Sequence, residues 1–255
     1  MNIPLILTAS GFVLLTAVFF WFLLRLLKTA LERSSWEEVK KKTLYRRVVV
    51  AFVGWAVFLT VWGLSGIAAK FELFPLNVAP ILAVPFIAIA VVTFSGKMKH
   101  LLSLVDQRSI VHLQVFRVFV EILLWALFIQ NLLPVQMTFE GRNFDIISGL
   151  TAPAAAIFLV RSRIALALWN LVCLGLLINI VTIAILSMPV PFRVFMNEPS
   201  NTIVTAFPFI LLPGMLVPLA YGLSFLSLRK IFIFQNETTH SRPAPAGFVH
   251  SNQGN

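Results

Sequence analysis

From residue 48 to residue 68 the chain carries no charged side chain, and this run excludes an ordinary soluble fold. A helix needs roughly 20 apolar residues to cross the ~30 Å hydrocarbon core of a bilayer. With 48–68, the predominantly apolar runs 4–27, 76–95, 109–131, 144–160, 164–187 and 203–228 make seven. Composition agrees: 59% of the chain is apolar and 12% is charged, against about 25% charged in soluble domains. The expected fold is an all-α, polytopic membrane protein, a single bundle of seven transmembrane helices over residues 1–234. A polar, proline-containing tail, 235–255, should be disordered.

The basic residues orient the bundle. Lys28, Arg33, Lys40, Lys41, Lys42, Arg46 and Arg47 lie between the first two spans. If that loop is cytoplasmic, alternation also places Lys97, Lys99, Arg108, Arg161, Arg163, Arg229, Lys230 and Arg242 inside. Only Lys70, Arg142 and Arg193 then fall outside, which gives an N-out, C-in topology. The net charge of +10 is thus spread along span ends and does not form a nucleic-acid-binding stripe. The first span lacks a basic leader and a small-residue cleavage site, so it reads as an anchor rather than a signal peptide. Within the basic loop, Ser35 and Glu38 have capping-box spacing, which predicts a helix starting near Trp36.

Charged groups inside a membrane are costly and face a bundle interior or a wet cavity. In the fourth span, Gln107, Gln114, Arg117 and Glu121 share an arc of roughly 80°, with His112 on the opposite side. Arg117 and Glu121 are spaced to pair at i, i+4, either as packing glue or as a cavity wall. The following loop gathers Glu140, Arg142, Asn143 and Asp145 around Gly141. Asp145 either caps the fifth span or helps to form a polar mouth above Arg117. Ser148, Ala152 and Ala156 make a small-residue stripe for close helix packing, with a kink at Pro153. Asn170 and Asn179 point to opposite faces of the sixth span. Tyr221 and Ser224 can reach inward from the seventh, where Pro208, Pro213 and Pro218 free backbone carbonyls.

Several chemistries are excluded. No lysine sits mid-way in the last span for a retinal, and no second intramembrane histidine joins His112 for a haem. No HExxH, GxSxG or P-loop occurs, and Cys173 is the only cysteine. No metal and no cofactor is expected, and an enzyme is the least favoured class. The strings Gln114-x-x-Arg117-x-x-x-Glu121, MTFEGRNFDIISGLTAP, PVPFRVFMNEPSN and FPFILLPGMLVP resemble a group of uncharacterised bacterial seven-span membrane proteins, over roughly residues 105–230. The resemblance implies architecture and a bacterial inner (plasma) membrane setting, and no reaction. It also implies that relatives carry a histidine where this chain has Ser224, which puts a histidine-dependent role in doubt.

Three function classes remain. The first is binding or transport of a small polar or anionic solute in a polar intramembrane cavity, carried by Gln114, Arg117, Glu121, Glu140, Arg142, Asn143 and Asp145. The second is a structural or accessory subunit of a membrane complex, with those residues and Asn170, Asn179, Tyr221 and Ser224 bridging helices. The third is an intramembrane enzyme. The expected partners are the lipid bilayer, the solute, and a second copy or a membrane-complex subunit; nucleic acid is not among them.

Overall fold

The computed structural model describes residues 3–240. Its elements are α1 (Ile3–Arg33), α2 (Glu38–Leu64), α3 (Ala79–Phe94), α4 (Gly96–Leu104), α5 (Gln107–His112), α6 (Phe116–Phe128), α7 (Ile146–Phe158), α8 (Arg163–Leu186) and α9 (Val217–His240). No strand occurs among the described residues. A short 3₁₀ turn joins α5 to α6, and the two run as one apolar helix, Gln107–Phe128. Five helices are long and apolar enough to cross a membrane; the bent pair α3–α4 makes a sixth if taken as one span. Such helices are compatible with a membrane protein.

Local chemistry sets several boundaries. Ser95 ends α3 and caps α4, its hydroxyl accepting from the Met98 N–H, and the axes there turn by 72°. Asp106 caps α5 through the Arg108 N–H, and Ser162 caps α8 through the Ala165 N–H. The capping box expected at Ser35 does not form. α2 starts at Glu38, whose carboxylate instead takes the Lys41 ammonium at 2.9 Å. That interaction, one turn along the same helix, holds the Glu38 carboxyl below its usual range.

The last span also differs from expectation. Residues 203–211 form a 3₁₀ turn and irregular chain, and the helix begins with a π turn, Leu212–Leu216, around Pro213. Proline lacks the N–H that an α turn needs there. α9 continues to His240, beyond the expected tail boundary at 235. The rest of that tail, 241–255, lies outside the described residues.

α9 is the hub of the bundle. It packs on α3, α5 and α8, while α6 packs on α1 and α7. In α9's most apolar stretch 61% of residues are buried, against 6% in α2, which leans on α1 at the edge. Large apolar side chains such as Val50, Val57, Phe94, Leu150 and Ile178 are exposed around the outside. A water-soluble monomer rarely leaves so much contiguous apolar surface uncovered.

Candidate functional site

Gly149 lets α7 come unusually close to α6. A Cβ placed there would lie 2.7 Å from the Val118 backbone nitrogen and 3.2 Å from the Arg117 Cβ. The expected small-residue stripe of the same helix, Ser148, Ala152 and Ala156, is buried. This approach sets Asp145, at the start of α7, against Arg117.

Arg117 is 1% exposed, and its Nη1 donates to Asp145 Oδ1 at 2.6 Å and to the Cys173 carbonyl at 3.2 Å. The Ser148 hydroxyl donates to the same Asp145 oxygen at 3.0 Å. Asp145 occupies the cap position of α7, but its side chain makes no cap hydrogen bond. Its carboxylate is committed to Arg117. The Arg117 Nε and Nη2 groups are buried without a hydrogen-bond partner.

The expected Arg117–Glu121 ion pair does not form. The guanidinium turns across the helix contact to Asp145, and Arg preceding Glu at i, i+4 is the weaker order on a helix. Glu121 is buried too, and the Asn143 Nδ2 sits between its two oxygens, donating at 2.7 Å to each. The same amide reaches the Met137 carbonyl at 3.0 Å, and the Asn143 carbonyl oxygen accepts from the Asp145 N–H at 3.0 Å. No cation among the described residues lies within ion-pair distance of Glu121.

The polar seam continues along the same face. Gln114 Nε2 donates to Ser224 Oγ at 2.9 Å, and Gln107 Nε2 donates to Ser227 Oγ at 2.6 Å. Asn170 Nδ2 meets Ser227 Oγ at 2.9 Å. Asn179 is on the opposite, exposed face of α8 and donates to the Arg142 carbonyl at 2.9 Å. His112 is exposed, as expected. The Tyr221 ring packs on Phe86 and Phe225, and its hydroxyl is buried without a partner. Glu140 and Arg142 stay outside: Glu140 accepts from Trp125 Nε1 at 2.6 Å, and the Arg142 guanidinium lies over the Phe195 ring.

A cavity of about 80 Å³ opens between the start of α3, α6, α8 and the π turn before α9. Its wall is almost wholly apolar, which corrects the polar cavity expected from the sequence. Val120, Leu124, Leu177, Ile180 and Val217 line it, and Glu121 and Asp145 are its charged residues. Gln114, Arg117, Glu140, Arg142 and Asn143 are not on the wall. Among the described residues no His, Cys, Asp and Glu cluster is arranged to hold a metal ion.

The sequence reading missed a second polar knot. Gln136 Nε2 donates to Ser187 Oγ at 2.9 Å, and Asn197 Nδ2 donates to Gln136 Oε1 at 2.8 Å. Asn201 Nδ2 reaches the Ala184 carbonyl at 2.9 Å. These bonds tie the loop before α7 and the loop after α8 to the end of α8. Their signal was the pairing of amide side chains across two loops, which no single helical period displays.

The chain belongs to the family defined by a domain of unknown function, DUF8737, whose model matches residues 73–232. The matched region contains α3 to α8, most of α9 and the whole Arg117–Asp145–Glu121 centre, and it leaves out α1 and α2. No curated protein and no solved structure matches the chain.

Proposed function

We propose that this DUF8737 protein is a seven-span, N-out, C-in protein of the bacterial inner membrane that binds a small solute in the cavity beside Glu121, as a step of its transport. The observation that carries this reading is an imbalance of charge. Asp145 pairs with the buried Arg117 guanidinium, and among the described residues only the Asn143 amide hydrogen-bonds the Glu121 carboxyl at the cavity's border. A buried carboxylate needs a compensating charge or several hydrogen bonds. Of the polar and anionic solutes expected from the sequence, the geometry favours a polar one with a cationic, N–H-donating head. An anion would meet two carboxylates at the wall. The apolar remainder of the cavity suits a short alkyl body of a few heavy atoms.

Propylammonium and propionate are matched probes. Thermal unfolding of the purified protein in nanodiscs should shift upward with propylammonium, and E121Q should lose the shift. At a hundredfold excess over Kd the ligand contributes about 2.7 kcal/mol. Stabilisation by propionate alone, or by neither probe, would overturn the reading. The topology is tested by reporter fusions after residue 235, which should report a cytoplasmic tail; a periplasmic one would remove a span.

A further inference from the structure

The family match and the central site leave the α1–α2 side of the molecule unassigned, and a second concavity lies there. About 220 Å³ opens between the start of α2 and α4, bordered by Trp36, Lys40, Thr43, Arg47 and Lys97. Lys40, Thr43 and Arg47 of α2 fall on one stripe, at spacings of three and four, so they face one way, and Trp36 lies just before the helix. Trp36 is clamped at the floor. His100 of α4 stacks on its ring at 5.3 Å, and the Lys40 Nζ lies over the ring at 4.9 Å. Arg47 and Lys97 form no ion pair among the described residues, and Glu37 is the groove's one carboxylate. The groove is therefore cationic, with a rigid aromatic base.

The same stripe continues into the apolar body of α2 as Val50, Gly54, Val57 and Val61. All four are exposed, and a Cβ added at Gly54 would meet nothing within 4 Å. From Val50 to Val61 this apolar track spans about 17 Å at 1.5 Å per residue. A phosphate binder has no use for it. A lipid has: the headgroup ends where Arg47 does, and an acyl chain follows from there.

We infer that the groove is a binding site for one anionic glycerophospholipid, its phosphate on Lys40, Arg47 and Lys97 and one acyl chain along the Val50–Gly54–Val57–Val61 track. Trp36 sits at headgroup level, where tryptophan is enriched. A zwitterionic lipid would bring a choline cation against three basic groups, so a headgroup of net negative charge is preferred. The site is separate from the Glu121 cavity and shares with that reading only the membrane setting.

The test is native mass spectrometry after mild extraction from vesicles of dioleoylphosphatidylcholine and dioleoylphosphatidylglycerol at 3:1. One phosphatidylglycerol should be retained, enriched roughly twentyfold over phosphatidylcholine. The K40A/R47A/K97A variant should lose about tenfold or more of that enrichment. G54F, which fills the track and leaves every charge in place, should release the lipid as well. Inorganic phosphate should not displace it. Equal retention of both lipids, retention in the triple variant, or displacement by phosphate with G54F unaffected would each overturn the assignment. A protein that fails to float with the vesicles would instead overturn the membrane reading on which both proposals stand. Lys40, Arg47, Gly54 and Lys97 are exposed, and K40A costs only the ammonium over the Trp36 ring; intact packing of the bundle is checked by the unfolding midpoint in lipid-free detergent.

Discussion

Removing the Asp145 carboxylate should be among the most damaging single changes in this bundle. In Asp145→Ala the fully buried Arg117 keeps only the Cys173 carbonyl, because its Nε and Nη2 groups already lack partners. Stranding one member of a buried ion pair costs about 3–5 kcal/mol. Arg117→Met should cost a similar amount, since Asp145 would retain little more than the Ser148 hydroxyl. The double variant strands neither charge and should fall short of the summed losses by about 2–3 kcal/mol. Glu121→Gln, by contrast, removes no ion pair and preserves an acceptor for Asn143, so it should cost at most about 1 kcal/mol. The assay is reversible unfolding in mixed micelles followed by tryptophan fluorescence. Additive losses would show that Arg117 and Asp145 are uncoupled, and a Glu121→Gln penalty equal to that of Asp145→Ala would show that Arg117 leans on Glu121 instead.

Three further outcomes follow from particular contacts. Gly149→Val places side-chain atoms where the α6 backbone already lies, and it should cost about 1–3 kcal/mol and weaken the Arg117–Asp145 coupling in the same cycle. Ser224→Ala leaves the buried Gln114 amide without its acceptor, at about 1–3 kcal/mol, while Gln114→Leu with Ser224→Ala should recover most of that loss by the same assay. In the loop after α8, Arg193 and the Ser200 N–H bind Glu198 and hold its carboxyl below the usual glutamate range. The folded loop therefore favours the ionised form, and its benefit is present above the ordinary glutamate value of about 4.3 and lost as pH falls through the folded-state value. Amide protection factors at residues 193–201, taken against the intrinsic exchange rate at each pH, should hold down to about pH 5 and fall in stronger acid, and Glu198→Gln should lower them throughout.

Helical period and charge were legible because they are local. The arc through Gln114, Arg117 and Glu121 is buried while His112 is exposed, as a 100° step between residues requires. Partner choice was not legible. Spacing compares Arg117 with residues on its own helix, whereas the ion pair depends on how near α7 can come, and Gly149 decides that. Asp145 shows the same limit: its position just before α7 marks a cap, and only the tertiary contact redirects its carboxylate. The start of the last helix was misplaced because an apolar run containing Pro208 and Pro213 reads as one span. The chain there stays irregular up to the π turn. Nor does an apolar cavity leave a mark in the sequence, since its lining residues are the same types that fill a core.

The central site can be separated into a structural part and a chemical part by asking what each charge would lose if neutralised in place. Arg117 and Asp145 pair with one another, so an isosteric neutral residue at either position strands its partner's charge, and the loss appears as instability. Glu121 has no such partner. Its two oxygens are held in plane by a single amide, and a neutral glutamine would keep that contact. An ionised group is least stable at the wall of an apolar cavity, so the Glu121 carboxyl gains most from a bound cation that offsets its charge. Glu121→Gln should therefore fold as well as the parent and fail to bind propylammonium. If it binds the cation undiminished, the charge at position 121 has no part in recognition, and the centre reduces to helix packing.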